Sequence, residues 1–403
     1  VAAKRSGMPL AIWGIGFGIF AQGTSELMLA GLLPEMAADL DVTIPTAGWL
    51  ISAFALGMLV GAPTLAVLTL RWPRRSALLV FLAAFVLSHV VSALTDSYGL
   101  LLAMRFVGAF AYAGFWAVGG STAMALVGPD RRGRAMSIVA GGLTVATVVG
   151  LPAGTWIGQH LGWRGAFWAV AVLSSVGAAA IIAAVPPLRP ENPPSLRNEL
   201  RGLRPPRLWL SYAMTAVATT ALLGTFSYLA AMLIETTGLD STWVPAVLFG
   251  YGFGALIGIA IGGKTADRHP RAVLGIGFTG LLMTSLLLAL TAHHVGTTVV
   301  LVVALGVLGF GTNPALNSRF MTIAPDAPTL AVSGNVAAFN VGITLGPWIG
   351  GLVLAAGHAY PAVPAVGAAV AGLALLLWAW DLTLQARAGR PKRTVGQEPS
   401  VAR

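Results

Sequence analysis

A single carboxyl group interrupts the first long apolar run of the chain. Between Leu10 and Leu33 the only acidic residue is Glu26, set in Gln22-Gly23-Thr24-Ser25-Glu26 and far from either end. A carboxyl at membrane depth costs several kcal/mol unless it is protonated, paired or wetted, so the chemistry open to Glu26 is proton exchange. A later apolar run carries one base, Arg105, six residues after Gly99. At about 1.5 Å per residue both charges lie about 10 Å below the same boundary. An isolated charge of either sign is expensive there, and a pair much less so. Two readings fit: an ion pair that locks two helices, or a carboxyl that exchanges its proton for substrate while the guanidinium tunes it. Arg105 itself cannot release a proton at physiological pH.

Other polar and aromatic residues fall where they could line a cavity around this pair. Gln22 is one turn from Glu26 on the same face. Tyr112 is two turns beyond Arg105, and Phe115 and Trp116 continue that side. Asn313 and Asn317 share a face, and Asn335 and Asn340 follow in the next run. Rings and amides together suit a neutral amphipathic molecule; each residue also fits a plain helix–helix contact. His89 reads as structural or as a proton relay. Arg319 is close enough to a span end to snorkel, and Asp381 is likewise near an end.

The elements that must position these groups follow from composition. Of 403 residues, 56% are hydrophobic and 9% charged, against about 25% charged in a soluble domain. Most of the chain must therefore be spanning helix, each of about 20 apolar residues. The net charge of +10 sits in short loops rather than in a patch for nucleic acid, and the absence of cysteine excludes disulfides, thiolate catalysis and Cys-ligated metal. Twelve spans are expected, at 10–33, 46–70, 76–95, 99–126, 135–158 and 166–186, then 208–234, 243–263, 272–292, 297–322, 331–356 and 362–384. Lys4 and Arg5 before the first run imitate a signal peptide, but the run is too long and further spans follow.

Basic residues orient the spans. Arg71, Arg74 and Arg75, then Arg131, Arg132 and Arg134, then Lys264, Arg268 and Arg271 lie in loops on one side. Glu35, Asp39, Asp41, Asp96 and Asp240 collect on the other. Both termini are thus expected in the cytoplasm of a multi-pass protein of the cell (inner) membrane. Domain boundaries follow: an N-terminal six-helix half over 1–186, a Pro- and Arg-rich cytoplasmic linker over 187–207, a C-terminal half over 208–384, and a cytoplasmic tail over 385–403 without apolar period. Leu196, Leu200 and Leu203 in the linker recur at helical spacing.

The two halves repeat. Gly57-Met58-Leu59-Val60-Gly61 returns 197 residues later as Gly254-Ala255-Leu256-Ile257-Gly258, and Arg71, Pro73 and Arg74 return as Arg268, Pro270 and Arg271. Gly150, Pro152 and Gly154 are echoed by Gly346, Pro347 and Gly350. The glycines permit tight helix contact, and Pro152 and Pro347 kink their helices. Packing and gating both account for that placement.

The string AQGTSELMLAGLLPEMAADL from Ala21 to Leu40 resembles the first span of major facilitator drug:proton antiporters. The similarity continues through Gly48-Trp49-Leu50-Ile51-Ser52-Ala53-Phe54-Ala55, Gly61-Ala62-Pro63 and the loop Arg71-Trp72-Pro73-Arg74-Arg75. Chloramphenicol-resistance exporters are the nearest in pattern. Arg105-Phe106-Val107-Gly108-Ala109 looks like the family's fourth-span arginine motif, tied there to proton transfer. Gly150-Leu151-Pro152-Ala153-Gly154 looks like a shortened fifth-span antiporter motif, and Gly162-Trp163-Arg164 with Phe167 resembles a segment before span six. The chain departs where the family's first loop carries an Asp: here Leu70 stands, and Pro73 replaces a Gly. The second half keeps the acid in Gly263-Lys264-Thr265-Ala266-Asp267-Arg268. A charge latch, if the loop forms one, would run through Asp267 to Arg134 or to the amides opening span five; a solvated loop charge is the plainer alternative.

The resemblance implies an all-α membrane protein with the major facilitator fold, twelve transmembrane helices in two pseudo-symmetric halves. It implies proton-coupled efflux of a small amphipathic drug, with chloramphenicol or related phenicols first. Sugar or metabolite export within the same superfamily and, more remotely, a channel are the other readings. A monomer without metal or cofactor is expected. No phosphate loop, nucleophile elbow or metal-ligand cluster points to an enzyme, and Gly14-Ile15-Gly16 with Gly18 lies inside a span rather than after a strand.

Overall fold

The computed structural model describes residues 8–69, 72–128, 131–187, 204–266, 268–323 and 328–388. Among them there is no strand. Twelve helical elements, numbered here in chain order, carry the fold. In the first half these are α1 (Leu10–Asp39), α2 (Ile44–Leu68), α3 (Arg74–Leu94), α4 (Tyr98–Ala125), α5 and α6 (Trp163–Ala184). In the second they are α7, α8 (Val244–Ala266), α9 (Pro270–Thr291), α10, α11 (Pro328–Ala355) and α12 (Ala362–Ala388). Three are interrupted: α5 runs Arg132–Val145, a π turn Ala146–Gly150 and Leu151–Leu161; α7 runs Pro206–Ser227 and Leu229–Glu235; α10 runs Val295–Gly311 and Asn313–Ile323.

Eleven of the helices are long and apolar enough to cross a membrane. The twelfth, α1, has the length, at 30 residues, but its polar Gln22–Glu26 stretch lowers its apolar character. It also runs past the expected end at Leu33, through Pro34, to Asp39. Helix α7 begins at Pro206, inside the expected linker, and α12 continues to Ala388. The linker leucines Leu196, Leu200 and Leu203, the loop residues Leu70 and Arg71, Asp267, and the tail from 389 lie outside the described residues.

Glycine sets the helix spacing. On α5, a Cβ at Gly142 would strike the Gly16 backbone, one at Gly150 the Thr24 side chain, one at Gly154 Met28 and one at Gly158 Leu32. The fifth helix therefore lies along α1 from Gly16 to Leu32. Pro152 explains the π turn before it: it has no N–H and its ring crowds the carbonyl four residues back. The Leu151 amide reaches to the Ala146 carbonyl instead. On α11, Gly342, Gly346 and Gly350 fit in the same way against Thr219, Gly224 and Tyr228 of α7.

The repeat holds at the level of contacts. Gly57 and Gly61 of α2 lie on the backbone carbonyls of Phe106 and Phe110 of α4; Gly254 and Gly258 of α8 lie on those of Val303 and Val307 of α10. Each partner is displaced by the same 197 residues as its glycine.

The halves meet along α2 with α11 and along α5 with α8. Ser52 Oγ donates to the Thr344 carbonyl (3.0 Å), and Gln159 Nε2 to the Ser241 carbonyl (2.8 Å). Gly48 abuts the Tyr228 hydroxyl, which donates to the Pro347 carbonyl at 2.9 Å. Gly252 lies on the Thr147 carbonyl. Most of these contacts lie toward the end of the bundle where the acidic loops collect, and Gly252 with Thr147 lies near mid-depth.

Candidate functional site

Helix α1 is the central element, buried at nearly every position from Ala11 to Leu33. Against that background Glu26 and Leu27 stay partly accessible, as do Phe17 and Phe20 nearer the Arg-rich end, where Trp13 is exposed. Glu26 is thus an acid halfway along a buried helix with a side open to something other than its neighbours.

Arg105 is brought to the same depth and is 2% exposed. The expected ion pair with Glu26 does not form. Arg105 Nη1 donates instead to Ser25 Oγ at 2.8 Å, and Nε to the Leu50 carbonyl at 3.4 Å. Its guanidinium carbon sits 4.2 Å from the centre of the Phe54 ring, a cation–π contact that offsets part of its desolvation. The guanidinium thus bonds the residue next to the acid on α1 rather than the acid itself.

Ser25 has a second partner. Its Oγ lies 2.6 Å from His89 Nε2, and His89 Nδ1 lies 2.8 Å from the Phe85 carbonyl. His89 is 2% exposed and packed between the Phe85 and Phe167 rings, with centroids at 4.1 and 5.5 Å. Gly108 lets α3 come this close, since a Cβ there would meet Ser88 Oγ at 2.6 Å. Neither the role of Ser25 nor this use of His89 is evident from the sequence alone. The readable signal was a serine beside the buried acid and a lone histidine in a span.

The remaining expected residues divide. Gln22 is fully buried, with Nε2 on the Gly18 carbonyl and Oε1 without a partner. The Tyr112 hydroxyl lies beside Gly23, and its ring is 6.1 and 6.2 Å from those of Phe54 and Phe85. Phe115 is fully buried on Gly18 as packing, while Trp116 is half-buried. Asn313 follows the break in α10 and is half-buried. Asn317 is exposed and accepts from Asn335 Nδ2 (2.8 Å), whose Oδ1 accepts from Thr215 (2.8 Å). Asn340 donates to the Val336 carbonyl, and its Oδ1 has no partner. Thr344, whose carbonyl receives Ser52, donates to the Asn340 carbonyl. Of the gating residues, Arg134 and Arg268 are exposed, Asp267 lies outside the described residues, Pro152 ends the π turn, and the Pro347 carbonyl holds Tyr228.

Two charged clusters escaped the sequence. Arg319 does not snorkel: it pairs with the fully buried Asp381, which also faces Arg207 at 3.7 Å and accepts from Gln385 at 2.5 Å. This ties α7, α10 and α12 at the Arg-rich end. At the other end Arg164 pairs with Asp39 and Asp96, and Trp163 Nε1 donates to Asp39 at 2.8 Å. No group of three or more metal-ligating residues occurs among the described residues.

A family model described as Major Facilitator Superfamily matches residues 15–327 and 208–402. A "Chloramphenicol resistance protein" of Streptomyces lividans is 42% identical over 87% of this chain and 90% of its own. The "Inner membrane transport protein YdhP" of Escherichia coli K12 is 37% identical over 90% and 93%. Among solved structures, the human organic anion transporter MFSD10 superposes with a TM-score of 0.67, covering 92% of this chain and 98% of its own at 18% identity. That last likeness concerns the fold alone.

Proposed function

The chain belongs to the Major Facilitator Superfamily, a family of transporters, and from that premise we propose that it exports a small amphipathic drug from the cytoplasm in exchange for protons. Chloramphenicol or a related phenicol is the first candidate. The observation that carries the reading is Glu26, a partly accessible carboxyl halfway along a buried helix. Support for the substrate class comes from the printed name of the Streptomyces lividans relative and from the rings and unpartnered amide oxygens of Gln22 and Asn340. The Arg-rich loops orient both termini to the cytoplasm of the cell membrane, and the protein acts as a monomer.

The cycle starts with the halves joined at the acidic, outer end, as Ser52 with Thr344 and Gln159 with Ser241 join them here. Drug enters from the cytoplasm while Glu26 is charged. The halves then rock about the α2–α11 and α5–α8 seams. After release outside, a proton neutralises Glu26 and the empty carrier resets. In proteoliposomes with an imposed pH gradient, Glu26→Gln is expected to abolish uphill chloramphenicol transport. Full gradient-driven transport by well-expressed Glu26→Gln would reject the role.

One observation favours a second reading. The exposed Asn317, bonded to Asn335 and through it to Thr215, suits a hydroxyl-rich sugar or metabolite. Resistance profiling of expressing cells against drugs and sugars separates the two.

A further inference from the structure

Arg105 has partners for Nη1 and Nε, while Nη2 is buried without one. The hydrogen bonds behind Nη1 have only one self-consistent direction. A guanidinium nitrogen donates and never accepts, so Ser25 Oγ accepts from Arg105 at 2.8 Å. The serine proton then goes to its other short contact, His89 Nε2 at 2.6 Å, which must be the bare nitrogen of the ring. His89 Nδ1 faces a carbonyl oxygen, that of Phe85, so the ring proton sits on Nδ1. The chain runs Arg105 to Ser25 to His89 to the Phe85 carbonyl. A second proton on the ring would set Nε2–H against a serine already receiving from a cation.

We propose that Ser25 and His89 are positioning residues for Arg105: they hold the guanidinium on Ser25 rather than on the Glu26 carboxyl, and keep Nη2 in reserve as the donor that meets the Glu26 carboxylate during transport. This rests on the reading of Glu26 as the proton carrier. The titratable and charged groups of this cluster are Glu26 from α1, Arg105 and Tyr112 from α4, and His89 from α3; α2 and α6 contribute the Phe54 and Phe167 rings. Release of the guanidinium from Ser25 lets it bond Glu26 early, and a directly bonded cation favours the carboxylate.

The test uses full-length protein in proteoliposomes with chloramphenicol as probe. Ser25→Ala and His89→Phe should each lower the pH of half-maximal exchange by about 0.5 unit or more, the size of effect a nearby cation has on a carboxyl. The double variant should go no further, because both act on one chain. His89→Gln, which can still accept from Ser25, should restore the wild-type midpoint. Unchanged midpoints with only lowered thermal stability would reduce the cluster to packing and overturn the proposal. A second readout needs no transport. In the histidine ¹⁵N spectrum near neutral pH, the signal lost in His89→Gln should show a protonated Nδ1 and a bare Nε2, and Ser25→Ala should shift the Nε2 resonance. The opposite tautomer overturns the chain. If Glu26→Gln transports normally, the proton-carrier reading fails, and the spectrum alone then judges the holding of Arg105.

Discussion

Ser52 of α2 donates its hydroxyl proton to the backbone carbonyl of Thr344 on α11, at 3.0 Å, and so bonds one half of the transporter to the other. Gln159 of α5 and Ser241, in the short turn just ahead of α8, do the same at the acidic end. A carrier that opens outward must break both. The chain has no native cysteine, so a Gln159→Cys/Ser241→Cys pair is free of background. A short bis-maleimide is expected to join the pair and cut transport at least tenfold, while each single variant stays active after the same treatment. A joined protein that transports at the normal rate would show that the halves do not part there.

Asp381 is fully buried, and Arg319, paired with it, is 13% exposed. Removing one partner of a buried pair leaves the other charge unpaired, at a cost of about 3–5 kcal/mol, whereas replacing both by apolar residues of similar volume is often neutral. Asp381→Leu should therefore lower the unfolding temperature in detergent strongly, and Asp381→Leu/Arg319→Met should recover most of the loss. Arg207 and Gln385 also face Asp381, so recovery should be incomplete. A double variant no better than the single one would mean that Arg319 is not the partner that matters.

What could be read without coordinates, and what could not, follows from the range of each interaction. The repeat was legible because one backbone geometry imposes glycine at the same offset in both halves: Gly57 on Phe106 returns as Gly254 on Val303. Helix count and character followed from apolar length alone. The partner of Arg105 is not legible in the sequence, because opposite charge points to Glu26 while the guanidinium bonds the neighbouring Ser25. In the sequence Asp381 and Arg319 each look like end-of-span charges; their meeting depends on how α10 and α12 pack, which no local pattern encodes. No apolar period marks the breaks at Tyr228 and Thr312, although Pro314 just after Thr312 is a cue for the second.

Asp39 lies beyond the apolar part of α1, where hydrogen bonds from Arg164 and then Trp163 hold its carboxyl below the usual range. For a depressed carboxyl the stabilisation is complete above the unfolded value of about 4 and is lost as pH falls through the lower folded value. The side chains are 30% and 48% exposed, so the effect is small, about 0.5–1 kcal/mol. Asp39→Asn should thus be less stable than wild type at neutral pH, and the gap in unfolding temperature should close as pH drops below about 4. A gap that stays constant with pH would deny the titration, since every other carboxyl is common to both proteins.

Alanine is better than glycine in a helix by about 1 kcal/mol, so a Gly→Ala loss in a span must come from what the new methyl meets. At Gly57 and Gly254 it meets a backbone carbonyl, which cannot swing aside as a side chain would; at Gly263 it meets nothing within 4 Å. Overpacking of that kind costs about 1–3 kcal/mol. Gly57→Ala and Gly254→Ala should therefore both unfold at lower temperature than wild type and by similar amounts, because their partners Phe106 and Val303 occupy equivalent places. Gly263→Ala should be neutral or slightly stabilised. Equal stability of all three variants would mean that α2 and α8 do not lie as close to α4 and α10 as these glycines require.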